Sequence, residues 1–193
     1  MIALGITGAP AATIALNNGS FEAPDLPDWT LGVPISGWDS SGDNTKFGYG
    51  PVANDGTQGL FFEFGGGWRG VSQNTSYTVG QAGEVLDFST WVNIGNYDGD
   101  PNVVWFNEAI TIDLAIANQV QPAFTTSVGW TQVSVSYTTV AADIGKTVGV
   151  RFGFQSDGWA QTFADQTLLT VIPEPSAALI SGLGMLALLR RRR

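Results

Sequence analysis

The sequence predicts an all-β protein, an antiparallel β-sandwich followed by a short C-terminal transmembrane helix. Three observations carry that expectation. Apolar and polar residues alternate with period two in several separate segments, the pattern of a sheet that buries one face. Clusters of Asn, Asp and Gly break the chain between those segments, as two sheets sharing a core require. The chain then ends on an apolar run, Ser176 to Leu189, and four arginines, Arg190 to Arg193.

In chain order, Met1 to Leu16 is mildly apolar, and Ala9-Pro10-Ala11-Ala12 has the small residues of a leader's cleavage end without a preceding Lys or Arg. Residues 1–12 are read as the remnant of a truncated signal peptide, and residues 13–171 as one sandwich domain, long enough for a single core. Leu60 to Phe64 is a short apolar run. From Glu84 to Gly95, Leu86, Phe88, Val92 and Ile94 hold one parity and Asp87, Ser89, Trp91 and Asn93 the other. Val103 to Phe106 is another short run. The alternation returns at Ile110–Ile116, at Thr131–Tyr137, with Val133, Val135 and Tyr137 inward, and at Val148–Phe154. Asn54-Asp55-Gly56, Tyr97 to Pro101 and Ser156-Asp157-Gly158 are the breaks.

Residues 172–193 are a different kind of chain. Pro173-Glu174-Pro175 stops any preceding element, and the fourteen residues from Ser176 to Leu189 follow. As a helix they would reach roughly 21 Å, against a hydrocarbon core of about 30 Å. That is short for a permanent anchor and adequate for a stop-transfer element that is later removed. Arginines flanking a span stay on the cytoplasmic side, which puts the sandwich outside.

Charge and composition exclude several functions. Residues 1–172 hold four basic residues (Lys46, Arg69, Lys146, Arg151) against sixteen acidic ones, a net charge near −12. Such a surface repels nucleic acid, whose binding needs clustered Lys and Arg. With no Cys there is no disulfide scaffold, and with no His or Cys the usual bases, nucleophiles and transition-metal ligands are missing. Gly65-Gly66-Gly67 leads into Trp68-Arg69 and lacks the Gly-Lys-Ser/Thr of a phosphate loop. Glycoside hydrolysis by a carboxylate pair stays open, because pairs among many acids arise by chance.

On the parity facing away from the core, the strands display Asp87, Trp91, Asn93, Asp113, Gln132, Ser134 and Arg151. Trp91 stands where alternation predicts a polar side chain. Aromatic rings stack on the C–H faces of sugars while Asp, Asn, Gln and Arg take hydroxyls, so the set is a candidate carbohydrate platform. A solvated face with one tryptophan covered by a loop is the alternative. Trp29, Trp38, Trp68, Trp105, Trp130 and Trp159 mostly lie beside turns, where core or loop-stapling roles are expected.

Two resemblances sharpen these readings. Asn17-Asn18-Gly19-Ser20-Phe21-Glu22, Trp29, Gly37-Trp38, Asp55-Gly56-Thr57-Gln58, Val71-Ser72-Gln73 and Phe163-Ala164-Asp165-Gln166-Thr167-Leu168, spanning about residues 13–171, resemble the galactose-binding-like jelly rolls of several carbohydrate-binding module families. Gln166 and the polar Thr167 depart from the usual closing strand. The resemblance implies a structural calcium ion held by Glu22 and Asp165, assisted by a carbonyl near Gly19; calcium takes six to eight oxygen ligands. Pro173, Glu174, Pro175, the apolar run and Arg190, Arg191, Arg192 and Arg193 resemble the PEP-CTERM sorting signal. This second resemblance implies transient contact with an exosortase, passage across the inner membrane of a Gram-negative bacterium, and work in extracellular polysaccharide or biofilm. The expected protein is a non-catalytic surface or matrix jelly roll that binds or organises polysaccharide. A purely structural matrix component and a weak glycoside hydrolase are the alternatives.

Overall fold

The computed structural model describes residues 10–27, 29–41, 47–51, 53–63, 67–95, 110–114, 119–120, 129–156 and 161–173. Their strands are β1 (Ala12–Ile14), β2 (Thr30–Leu31), β3 (Asp39–Ser41), β4 (Phe47–Gly50), β5 (Gly59–Glu63), β6 (Gly67–Thr78), β7 (Val85–Gly95), β8 (Ile110–Leu114), β9 (Gln119–Val120), β10 (Trp130–Thr138), β11 (Thr147–Ser156) and β12 (Gln161–Ile172). A single 3-10 turn, Ala141–Asp143, interrupts them among the described residues. Seven strands make one sheet in the order β10-β7-β12-β5-β4-β2, with β1 also paired to β12, and five make the other in the order β3-β6-β11-β8-β9. All pairings are antiparallel.

Alternation is what closes the two sheets on each other. Leu86, Phe88 and Val92 of β7, Val133 and Val135 of β10, and Leu169 and Val171 of β12 bury their side chains against Val71 of β6 and Val148, Val150 and Phe152 of β11. Phe152 sits at the aromatic centre, its ring 5.7 Å from Trp38, 6.1 Å from Phe21 and 6.4 Å from both Phe62 and Phe88. Trp38 is thus core, as expected.

Residues 17–27 and 32–38, which contribute Phe21, Ile35 and Trp38 to that core, form no strand and need their backbone groups satisfied some other way. Three amides do this. Asn18 donates to the Ala23 and Ser36 carbonyls and accepts from Ala23 N. Gln58 donates to the carbonyls of Phe21 and Pro24 and accepts from Leu26 N. Gln73 accepts from Asn17 N and donates to the Asn17 and Gly37 carbonyls. Three polar residues of the jelly-roll signature, Asn18, Gln58 and Gln73, are therefore structural cross-links.

The predicted strands at 84–95, 110–116, 131–137 and 148–154 are found as β7, β8, β10 and β11, and Leu60–Phe64 as β5. The twelve-residue β6 was not legible as a strand, Val71-Ser72-Gln73 entering only through the jelly-roll resemblance, because its glycines and inward-facing Gln73 and Thr75 hide the alternation. Thr75 answers for its burial by donating to the Val148 carbonyl at 2.7 Å. In β12 the register against β7 shifts between Asp165 and Leu168, with Gln166 at a φ of 50°. That bulge explains the polar Thr167. Its N–H and hydroxyl both donate to the Gly19 carbonyl, at 2.8 and 2.6 Å, while Leu169 and Val171 resume the core. Val103–Phe106, the break at Tyr97–Pro101 and the tail from Glu174 onward lie outside the described residues. Among the described residues no helix is long and apolar enough to cross a membrane.

Candidate functional site

The pleat of β7 turns Asp87, Trp91 and Asn93 to the outer face of the seven-stranded sheet, and β10 turns Gln132, Ser134 and Ser136 to the same side. Register makes them neighbours: Gln132 lies opposite Trp91, Ser136 opposite Asp87, and Trp130 opposite Asn93. The Ser136 hydroxyl donates to Asp87 Oδ1. Trp91 is half-buried, with Asp165 of β12 on its other flank. Five of the seven outward residues of the candidate platform, Asp87, Trp91, Asn93, Gln132 and Ser134, thus share one polar and aromatic surface.

Arg151 and Asp113 do not join it. They belong to β11 and β8 of the five-stranded sheet, where Arg151 pairs across to Thr111 and Asp113 to Gly149. The outer faces of two stacked sheets point to opposite sides of the sandwich. Period-two alternation separates inside from outside, yet it carries no information on which sheet a strand joins, and this is why the single expected platform divides.

The outer face also holds three aromatics that sequence reasoning did not place there. Phe61 and Phe163, 1% and 5% exposed, lie side by side there with centroids 5.1 Å apart, and Trp29 packs on both at 5.1 and 6.1 Å. Trp29 remains 48% exposed. Residues flanking Trp29 gave no alternation to read, so its place on a sheet face was not legible.

Glu22 and Asp165, the expected calcium ligands, meet at one loop. Asp165 is fully buried. Its Oδ2 accepts the N–H groups of Asn54 and Asp55 at 2.8 and 2.9 Å, and its Oδ1 that of Gln166 at 2.7 Å. Glu22 Oε1 accepts from Thr57 N and Gln58 N, at 3.0 and 3.3 Å, and Oε2 from the Thr57 hydroxyl at 2.8 Å. Burial pushes the Asp165 carboxyl above its ordinary value; the N–H groups of Asp55, Gln166 and Asn54 pull it back, and the negative charge of Glu22 pushes it up further. Among the described donors, Asp165 Oδ1 and Glu22 Oε2 each take one hydrogen bond and keep a lone pair for a hard cation, which would relieve the repulsion. The two carboxylates therefore fit calcium as oxygen ligands. The Gly19 carbonyl does not, since Thr167 occupies it twice. Among the described residues no third acidic side chain joins the pair.

No family model matches the chain, and no curated protein matches it in sequence. Solved structures share its fold. A cyclase from Fischerella sp. TAU superposes with a TM-score of 0.63 at 18% identity, covering 86% of this chain and 99% of the other. The carbohydrate-binding module TmCBM61, in complex with beta-1,4-galactotriose, superposes with 0.57 at 16% identity, over 82% and 98%. The arabinose-bound α-L-arabinofuranosidase MgGH51 superposes with 0.53 at 14% identity, over 83% of this chain and 26% of that enzyme. At such identities the likeness establishes a jelly-roll sandwich, and because it reaches both a binding module and enzymes, function must be argued from the site.

Proposed function

We propose that this chain is an exported, non-catalytic jelly-roll protein that binds extracellular polysaccharide on the outer face of its seven-stranded sheet. The observation that carries the reading is the convergence of Asp87, Trp91, Asn93 and Gln132 on one face. An aromatic ring set among amide, hydroxyl and carboxylate groups matches a sugar, whose C–H face is apolar and whose rim is hydroxylated. The carboxylate pair Glu22 and Asp165 does not support hydrolysis. Asp165 has a raised pKa, as a general acid should, but it is sealed from solvent and its oxygens already accept three N–H groups, so no glycosidic oxygen can reach it.

The proposal includes a structural calcium ion at Glu22 and Asp165, which would tie the N-terminal segment and the closing strand to the Asn54–Gln58 loop. It also includes recognition of the tail by an exosortase and delivery to the cell surface or matrix, supported by Pro173-Glu174-Pro175, the apolar run and the four terminal arginines. The test is binding to an array of polysaccharides by the wild type and Trp91→Ala. Binding that Trp91→Ala loses supports the platform. Equal binding by both proteins removes it, and turnover of chromogenic glycosides would show an enzyme instead.

A further inference from the structure

One row of residues crosses the outer face of the seven-stranded sheet at right angles to the strands. Gly48 of β4 lies opposite Phe61 of β5, Phe61 opposite Phe163 of β12, Phe163 opposite Asn93 of β7, and Asn93 opposite Trp130 of β10. From Phe61 to Trp130 the row spans three strand spacings, roughly 14 Å. Trp29 stands over its phenylalanine end, and Trp91 and Gln132 form the adjacent row beside Asn93.

The sheet is shaped to hold Trp29 there. A Cβ on Gly48 would come within 1.9 Å of the Thr30 carbonyl oxygen, so only glycine lets the strand that follows Trp29 pack this closely. A Cβ on Gly50 would meet the Phe163 ring at 3.0 Å. Trp29 itself has a φ of +62°, a left-handed backbone in which a bulky residue is an outlier that surrounding structure must maintain. A tryptophan kept half in water, on a strained backbone and a two-ring pedestal, is poorly explained by core packing alone.

We propose that Trp29 is a second stacking platform of the carbohydrate face, and that its ligand is an extended neutral glycan lying across β10, β7, β12 and β5. This rests on the carbohydrate reading above and adds the ligand's length and charge. The span from Trp130 to Trp29 exceeds a single sugar, so an oligosaccharide is needed to touch both ends. A net charge near −12 over residues 1–172 repels uronate and sulfate polymers, while Asn93, Gln132 and Ser134 offer uncharged donors and acceptors to hydroxyls. A protein partner fits less well. Stable interfaces bury about 800 Å² per partner. The other exposed large apolar residues among those described are Val140, Ile144 and Leu168, of which Val140 and Ile144 lie at the far end of the strands.

The test measures affinity for neutral hexose oligosaccharides, from disaccharide to hexasaccharide, and for a uronate polymer, using wild type, Trp29→Leu and Trp91→Ala. Leucine keeps apolar cover on Phe61 and Phe163 without an aromatic face, and circular dichroism reports whether the fold is intact. The expected result is wild-type affinity that grows with chain length, a loss of about tenfold for Trp29→Leu on the long glycans, and little change on the disaccharide. Trp29→Leu binding long glycans as tightly as wild type, with Trp91→Ala impaired, overturns the second platform and spares the first. Preference for the uronate polymer overturns the neutral ligand. Binding to none of these probes, with the fold intact, removes both this inference and the carbohydrate reading.

Discussion

Gly56 has no room for a side chain. Its φ is +78°, and a Cβ there would lie 2.1 Å from Glu22 Oε1. Gly56→Ala must strain the backbone, at about 1–2 kcal/mol, and push the Glu22 carboxylate away from Thr57 and Gln58. The expected outcome is a fall in melting temperature of roughly 2–8 °C by calorimetry, at about 2–4 °C per kcal/mol for a chain of this size. Thr162 predicts the opposite sign. It is fully buried between the sheets, and among the described residues its hydroxyl has no hydrogen-bond partner. Thr162→Val keeps the shape and removes the unsatisfied oxygen, so stability should rise by about 1 kcal/mol in urea titration. Sequence anticipated that Glu22 and Asp165 belong to one site, through the jelly-roll resemblance. It could not show that the Asn54–Gln58 loop supplies the hydrogen bonds to both, because those contacts reach from one end of the chain to the other.

At the scale of elements, the turns joining β6 to β7 and β10 to β11 are locked together. Val79 N donates to the Lys146 carbonyl, Gly83 N to the Thr139 carbonyl and Thr139 N to the Glu84 carbonyl. Within the second turn, buried Asp143 accepts from the Tyr137 hydroxyl at 2.6 Å and Val140 N at 2.9 Å and pairs with Lys146 at 3.1 Å. The Tyr137 hydrogen bond leads these contacts in holding its carboxyl below the ordinary value of 3.8. A depressed pKa adds stability that is complete above 3.8 and lost as pH falls through the lower, folded-state pKa. Asp165 works in reverse. Its folded pKa is raised above 3.8, so its charged form weakens the fold at neutral pH, and that penalty fades as pH falls from the folded value towards 3.8. Without calcium, these two groups should make thermal stability rise on mild acidification and then drop below about pH 3.8. Asp143→Asn should flatten the drop. Saturating calcium should abolish the rise, because an ion beside Asp165 favours its charged form; a calcium-independent acid profile would argue against the ion. The strands themselves were legible wherever one face is wet, as in β7 and β10. Where glycine and buried amides replace alternation, as in β6, or where a bulge reverses parity, as in β12, the local pattern was not enough.

At the scale of the whole molecule, two opposite chemistries share one chain. The sandwich carries nearly all the acids, and half of the eight Lys and Arg residues occupy the last four positions. That distribution has no use in folding. Repulsion among sixteen acids across residues 1–172 would be eased by spreading the arginines over the surface. Under the sorting proposal it would serve translocation, since four guanidinium groups behind an apolar run resist transfer and would leave the acidic body on the far side. The run is also too short and too glycine-interrupted, at Gly182 and Gly184, to hold a bilayer-spanning helix strongly. A segment that stops transfer but anchors poorly suits removal. Loss of the four arginines alone takes the net charge from −9 to −13. The mature protein recovered from outside the cell should therefore bind more tightly to an anion exchanger than the full-length chain. Its intact mass should end near Pro173-Glu174-Pro175. Extracellular protein that still carries Arg190 to Arg193 would sink the sorting proposal while leaving the carbohydrate face standing, because the tail and the sheet surface act through separate residues.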